Sequence, residues 1–203
     1  MRLSRHCEFC GAEPLKCAMH RVNLICHPAT PCSSVQRIGA HVEDSPRVAV
    51  EIEYSLGGDI DKLRIPDESA PRRADNLWQH TCFETFIAAP GNESYLEFNF
   101  APSGEWAFYQ FDSYRTGMKA IDALPPIITT TRSANNLTVN VAVDLNSFPD
   151  LKNRTDLRLA LSAVIEDNNG ALSYWALAHP PGKPDFHHRN SFALTLNPLK
   201  SSL

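Results

Sequence analysis

No stretch of this 203-residue chain holds the roughly 18 consecutive apolar residues of a membrane span, so it is not anchored that way. Positive charge is not in excess: 19 Lys and Arg stand against 23 Asp and Glu, a formal charge of −4, which argues against a nucleic-acid partner held by phosphate neutralisation. The opening Met1-Arg2-Leu3-Ser4-Arg5-His6 has no apolar h-region, so the chain reads as cytoplasmic, with its thiols reduced. Ser103 lacks a G-x-S-x-G elbow, and no glycine-rich loop precedes a helix, which leaves serine hydrolysis and nucleotide cradling unsupported. Glycine is scarce, at 9 residues against 15 prolines, and proline is hostile to helix interiors. No long segment keeps a 3.6-residue period. The best helical candidate, residues 114–123, is short, and no internal repeat is visible. What remains is strands and loops.

Strand signals run through the body of the chain. Val48, Val50, Ile52, Tyr54 and Leu56 alternate with polar or small neighbours until Gly57-Gly58-Asp59 stops them. Leu137, Val139, Val141 and Val143 repeat the pattern, as do Leu157, Leu159, Leu161, Ala163 and Ile165. Asp167-Asn168-Asn169-Gly170 then predicts a hairpin into residues 172–177. Residues 82–89, 94–101 and 105–112 read as three consecutive strands joined by Pro90-Gly91-Asn92 and Pro102-Ser103-Gly104. Weaker strands are expected at 22–27, 34–43, 62–65, 126–132 and 191–196. Nine to twelve short strands in one unit, with no linker past residue 20, predict a single all-β domain over residues 21–203, an antiparallel β-sandwich.

Residues 1–20 read as a Cys-rich tail outside that domain, or as upstream of a true start at Met19. Cys7, Cys10, Cys17 and His20 have the composition of a tetrahedral zinc set, although the six residues between the two pairs are few for a zinc knuckle. A tail with loose thiols is the simpler alternative.

Period two divides the middle strands into faces. Phe83, Thr85 and Ile87 point one way, and Cys82, Glu84 and Phe86 the other. Leu96, Phe98 and Phe100 oppose Tyr95, Glu97 and Asn99, while Trp106, Phe108 and Gln110 oppose Ala107, Tyr109 and Phe111. Paired as a meander, the three strands collect Glu84, Glu97, Asn99 and an aromatic on one face. A carboxylate on a mainly apolar face is costly unless paired, hydrogen-bonded or wet, so Glu84 is either a ligand acceptor or half of an ion pair, Arg115 being one possible partner. Other chemistry is less specific. Cys82 lies two residues from His80, but a buried thiol is usually inert. His179, His187 and His188 lie in a proline-rich segment without metal-ligand spacing and read as loop histidines.

The run Arg73-Ala74-Asp75-Asn76-Leu77-Trp78-Gln79-His80-Thr81-Cys82-Phe83-Glu84, followed by Tyr95-Leu96-Glu97-Phe98-Asn99-Phe100, resembles the DOMON-like proteins of bacteria. These are relatives of the family-nine carbohydrate-binding modules and of the sugar- or haem-binding DOMON domains. The shared pattern is a Trp, a Glu six residues later on the next strand, then Tyr-x-Glu-Phe. It implies a β-sandwich with a ligand site, Trp78 as a stacking platform, Glu84 as a hydroxyl acceptor and Trp175 as a looser match to a second aromatic wall. A pyranose offers a C–H face to such rings and hydroxyl edges to carboxylates and amides.

The expected function is therefore non-enzymatic binding of a small ligand, a carbohydrate or sugar-like metabolite, with no cofactor. Trp78, Glu84, Asn99, Trp106, Arg115 and Trp175 are the expected ligand-binding residues. One alternative is a sugar-directed hydrolase using Glu84 and Glu97, whose carboxyl groups must then converge in a cleft. Another is a haem-binding electron carrier with a Met and a His as axial ligands, Met118 being the only Met in the sandwich body.

Overall fold

Twelve strands and four single-turn 3-10 helices account for the regular structure in residues 18–44, 49–149, 151 and 156–196, the part of the chain that the computed structural model describes. The first three strands are β1 (Ala18–Cys26), β2 (Val35–Asp44) and β3 (Ala49–Gly58). A meander follows, β4 (Cys82–Ala88), β5 (Tyr95–Phe100) and β6 (Trp106–Phe111), with the short β7 (Lys119–Ala120) on its edge. The rest are β8 (Ile127–Arg132), β9 (Asn136–Asp144), β10 (Leu157–Glu166), β11 (Leu172–Ala176) and β12 (Leu194–Leu196).

All strand pairs are antiparallel, and the strands form one continuous sheet in the order β7-β6-β5-β4-β10-β11-β1-β2-β3-β9-β8, with β12 beside β10. The hinge of this order is β1. Its residues 18–24 pair with β2, and its last two, Ile25 and Cys26, pair with β11. The sheet curls at that point, so its two halves face one another. Tyr54 of β3 is fully buried, its ring 4.9 Å from Phe83 of β4. Its hydroxyl donates to the Glu84 backbone carbonyl at 2.8 Å and lies 2.8 Å from Thr85 Oγ1.

The alternation explains the packing. Val50, Ile52, Tyr54 and Leu56 of β3, with Leu137, Val139, Val141 and Val143 of β9, form one wall of the main core. Phe83, Ile87, Leu96, Phe98, Phe100, Trp106 and Phe108 from the meander form the opposite wall. A Tyr54→Phe substitution removes only the hydroxyl that ties the two walls together. It should cost about 1–2 kcal/mol, the worth of a buried hydrogen bond; an unchanged urea midpoint would show that the bond contributes nothing.

The expectation of an all-β antiparallel fold holds, and the separate sheets of the expected sandwich are here joined into one curled sheet. Three local expectations differ. Residues 114–123 are not a helix, because Arg115 (φ 51°) and Gly117 (φ 70°) turn the backbone left-handed and Lys119–Ala120 then pairs with β6. The strand expected at 62–65 is a 3-10 turn, Ile60–Lys62, and a single bridge from Leu63 to Asp167. The first strand starts at Ala18, so Met19 and His20 belong to β1, opposite Glu43 and Val42. Cys7, Cys10 and Cys17 of the suggested zinc set lie outside the described residues. Among the described residues, no group of His, Cys, Asp and Glu is placed to hold a metal ion.

Candidate functional site

Strands β4 and β5 are buried on both faces, which a sheet with one wet face would not allow. The second face is covered by loops. Phe86, Tyr95, Ala107, Tyr109 and Phe111 point away from the main core and pack with Phe186 and Phe192 from the 177–193 segment. Between these loops and the strands lies a cavity of about 360 Å³, lined among others by Trp78, Glu84, Glu97, Arg115 and His187. That volume falls within the ~300–1,000 Å³ range of small-molecule pockets.

Register places the two carboxylates. Glu84 sits opposite Asn99 on one side and Ser162 on the other, while Glu97 sits opposite Phe86 and Tyr109. Glu84 and Glu97 are thus diagonal neighbours on one face, a relation that sets residues roughly 7–8 Å apart along the backbone. Both are almost sealed, at 3% and 5% exposure. Glu84 Oε2 accepts from Ser162 Oγ at 3.0 Å, and Glu97 Oε1 accepts from Asn99 Nδ2 at 2.7 Å. Burial pushes the pKa of both groups well above the ordinary carboxylate range, to about 8 for Glu84 and about 7 for Glu97, and for Glu84 the charge of Glu97 adds to it. The Ser162 and Asn99 bonds and the Arg115 charge offset only part of this rise.

Arg115 is not the ion-pair partner of Glu84. Its Nη2 donates to Asp185 Oδ1 at 2.9 Å, and its side chain is half exposed. Its backbone N–H donates to Tyr95 Oη at 3.2 Å. Tyr95 Oη lies 2.8 Å from His187 Nδ1, and His187 Nε2 lies 3.7 Å from Glu97 Oε2. With the Tyr95 proton directed to Nδ1, the His187 N–H sits on Nε2, facing Glu97. Burial and the Arg115 charge pull the His187 pKa down to about 4, so the ring is neutral at pH 7.

Trp78 lines the same cavity from a 3-10 turn, Leu77–Gln79, that follows Asn76 in the left-handed region (φ 62°). It is half-buried, and its edge meets the Tyr109 ring at 5.8 Å. Tyr109 is in turn fixed by its hydroxyl, which donates to Asp75 Oδ1 at 2.6 Å. Among the described residues, Asn76 and Arg115 are the two non-glycine residues with positive φ, and each holds a loop that borders the cavity.

Of the residues singled out from sequence, Trp78, Glu84 and Arg115 line this cavity, and Asn99 supports it from behind through Glu97. Trp106 and Trp175 do not reach it. Both lie in the main core, Trp106 with its ring 4.8 Å from Phe108 and Trp175 with Nε1 donating to Ser173 Oγ at 3.0 Å. Period two decides both cases: Trp106 shares its face with Phe108, and the cavity-lining residue on β11 is Tyr174, one position before Trp175. Tyr174, Phe186 and His187 were missed. His187 reads in sequence as one of three loop histidines, and only the fold of the 178–189 segment buries it against β5.

Met118 and His187 both line the cavity, as a haem site with Met and His ligands would require. However, His187 Nδ1 is already hydrogen-bonded to Tyr95, and Nε2 lies 3.7 Å from Glu97 Oε2, so a carboxylate crowds the nitrogen that an iron would need.

No protein-family model matches the sequence, and no curated protein matches it. Solved structures do match in fold. A candidate carbohydrate-binding protein from Bacteroides uniformis is 11% identical, with a TM-score of 0.62 over 93% of this chain and 94% of the other. A family-nine carbohydrate-binding module from Caldicellulosiruptor kristjanssonii, solved with cellotriose, is 10% identical, with a TM-score of 0.50 over 90% of this chain and 82% of the other.

Proposed function

We propose that the cavity under Trp78 binds a small carbohydrate without transforming it. The observation that carries this is one cavity lined by a half-buried tryptophan and two buried carboxyl groups, each hydrogen-bonded to a neighbour, with a half-exposed guanidinium at the side. Trp78 would take the C–H face of a pyranose. Glu84 and Glu97, protonated part of the time, can both donate to and accept from hydroxyl groups, and Arg115 donates. The fold shared with sugar-binding structures supports this reading, as does the spacing of Trp78, Glu84, Tyr95 and Glu97, which resembles that of DOMON-like sandwiches. Titration calorimetry with glucose, cellobiose and cellotriose should detect saturable binding of at least one of them. Silence from all three up to millimolar concentration would remove the proposal.

The carboxylate pair also favours a second reading, a glycoside hydrolase. Two carboxyl groups in one cavity, with pKa values raised by burial, suit such chemistry, which needs one of the pair to stay protonated as the acid. The two readings separate on product: a hydrolase releases glucose from cellotriose, and Glu84→Gln or Glu97→Gln would stop it. A binder leaves cellotriose intact after prolonged incubation.

A further inference from the structure

A larger cavity, about 610 Å³, adjoins the first across His187, which lines both. It opens between the 89–93 turn, Ser113-Tyr114 and the 187–192 segment, and nothing in the sugar-binding proposal uses it. Its floor is apolar, with Tyr95 and Phe192. Its charges are not balanced: Arg158 and Arg189 line it together with His188, against one carboxylate, Glu93. On a chain with a formal charge of −4, this is a local reversal of sign.

The two arginines are available. Arg189 is exposed, and its side chain has no ion-pair partner among the described residues. Arg158 Nη2 donates to the Phe192 carbonyl at 2.7 Å, which fixes the guanidinium at the cavity wall while its other N–H groups have no hydrogen-bond partner among the described residues. An arginine anchored through one nitrogen and open at the rest is suited to a carboxylate or phosphate, whose oxygens match its donor geometry. Tyr114 stands at the rim, 53% exposed, and Asp185 ties it to Arg115 of the first cavity: Tyr114 Oη donates to Asp185 Oδ2 at 2.6 Å and Arg115 Nη2 to Oδ1. The two cavities thus share a bonded wall made of His187, Asp185 and neighbouring residues 114 and 115.

We propose that the second cavity is an acid subsite, which holds the carboxylate- or phosphate-bearing part of a saccharide whose neutral ring lies under Trp78. Arg158 and Arg189 bind the anion, and Tyr114 and Phe192 contact the sugar carbons beside it. This rests on the sugar-binding proposal and names the ligand class: acidic rather than neutral saccharides.

The test is calorimetry at low ionic strength, where charged contacts are least screened. The probes are cellobiose, its uronic acid counterpart (a disaccharide with one hydroxymethyl oxidised to carboxylate), glucose 6-phosphate and inorganic phosphate. The uronic acid or glucose 6-phosphate should bind at least about tenfold more tightly than the neutral sugar, as expected for a charged hydrogen bond. Arg189→Ala, which removes no side-chain hydrogen bond or ion pair among the described residues, should erase most of that gain and leave cellobiose affinity unchanged. Arg158→Ala should do the same, and Arg158→Lys, which keeps the charge, should retain part of it. A neutral sugar that binds as well as both acidic ones overturns the subsite and leaves the sugar-binding proposal standing. A preference for acid that survives both alanine variants overturns it too, and so does inorganic phosphate that binds as tightly as glucose 6-phosphate. If no sugar binds, neutral or acidic, both proposals fall together.

Discussion

Between pH 6.5 and 8.5 the protein should lose on the order of 2 kcal/mol of stability, and the Glu84→Gln, Glu97→Gln double variant should lose much less. The sign follows from the two carboxyls. Their pKa values are raised in the folded state, mainly by burial, so the native protein holds protons that the unfolded chain has already released. Where the native state binds more protons, stability falls as pH rises. The contribution is complete below the ordinary carboxylate range and is lost as pH climbs through the raised values. Neighbouring groups do not confuse this window. His187 is pulled down to about 4, so its contribution is fully present above the ordinary histidine value and lost only on acidification. Burial raises the Cys82 thiol and the Tyr54 phenol, whose unfolded counterparts have their midpoints above the window, at 9.0 and 10.0, so only the thiol begins to titrate at its upper edge. Glutamine keeps the shape and an oxygen for Ser162 and Asn99 while removing the proton equilibrium. Denaturant melts at five pH values settle the matter. A flat wild-type profile, or a double variant that falls as steeply as the wild type, would mean the pair stays ionised in the folded protein.

The collection of Glu84, Glu97 and Asn99 on one face was readable in the sequence, because strand parity is fixed once the alternation of Phe83, Phe98 and Phe108 is recognised. Parity also carried enough information to reject Trp106, which falls on the Phe108 side. Trp175 was harder, since β11 runs only five residues and its own pattern does not say which face meets the loops. What sequence could not give was the cover. The second face of the meander is sealed by segments near residues 78, 115 and 187, separated by up to about a hundred positions along the chain, and their convergence depends on the curl of the sheet around β1. His187 shows the consequence. Nothing in its neighbourhood distinguishes it from His188, yet only His187 is brought against Tyr95 and Glu97. The helix expected at 114–123 failed for a local reason, since Gly117 favours a left-handed turn that Arg115 also joins through its bond to Tyr95.

Replacement of the three tryptophans in turn should give two different outcomes. Trp78→Ala should weaken the binding of any sugar that the cavity accepts by roughly 30-fold or more, the loss of about 2 kcal/mol that marks an aromatic anchor at a binding site. Its cost in stability should stay near 1 kcal/mol, because the indole is half-buried and its mapped ring contact is a single edge against Tyr109. Trp106→Phe and Trp175→Phe should behave in the opposite way. Both side chains belong to the main core, at 6% and 5% exposure, and the smaller ring leaves a void there; Trp175→Phe also leaves Ser173 Oγ without its indole donor. Each should cost about 1–3 kcal/mol in a denaturant melt while sugar affinity stays within about twofold of wild type. Calorimetry and melts on the same three samples separate the roles. Affinity lost in the Trp175 variant but kept in the Trp78 variant would relocate the site to the main core side of β11, and the cavity under Trp78 would lose its claim to the ligand.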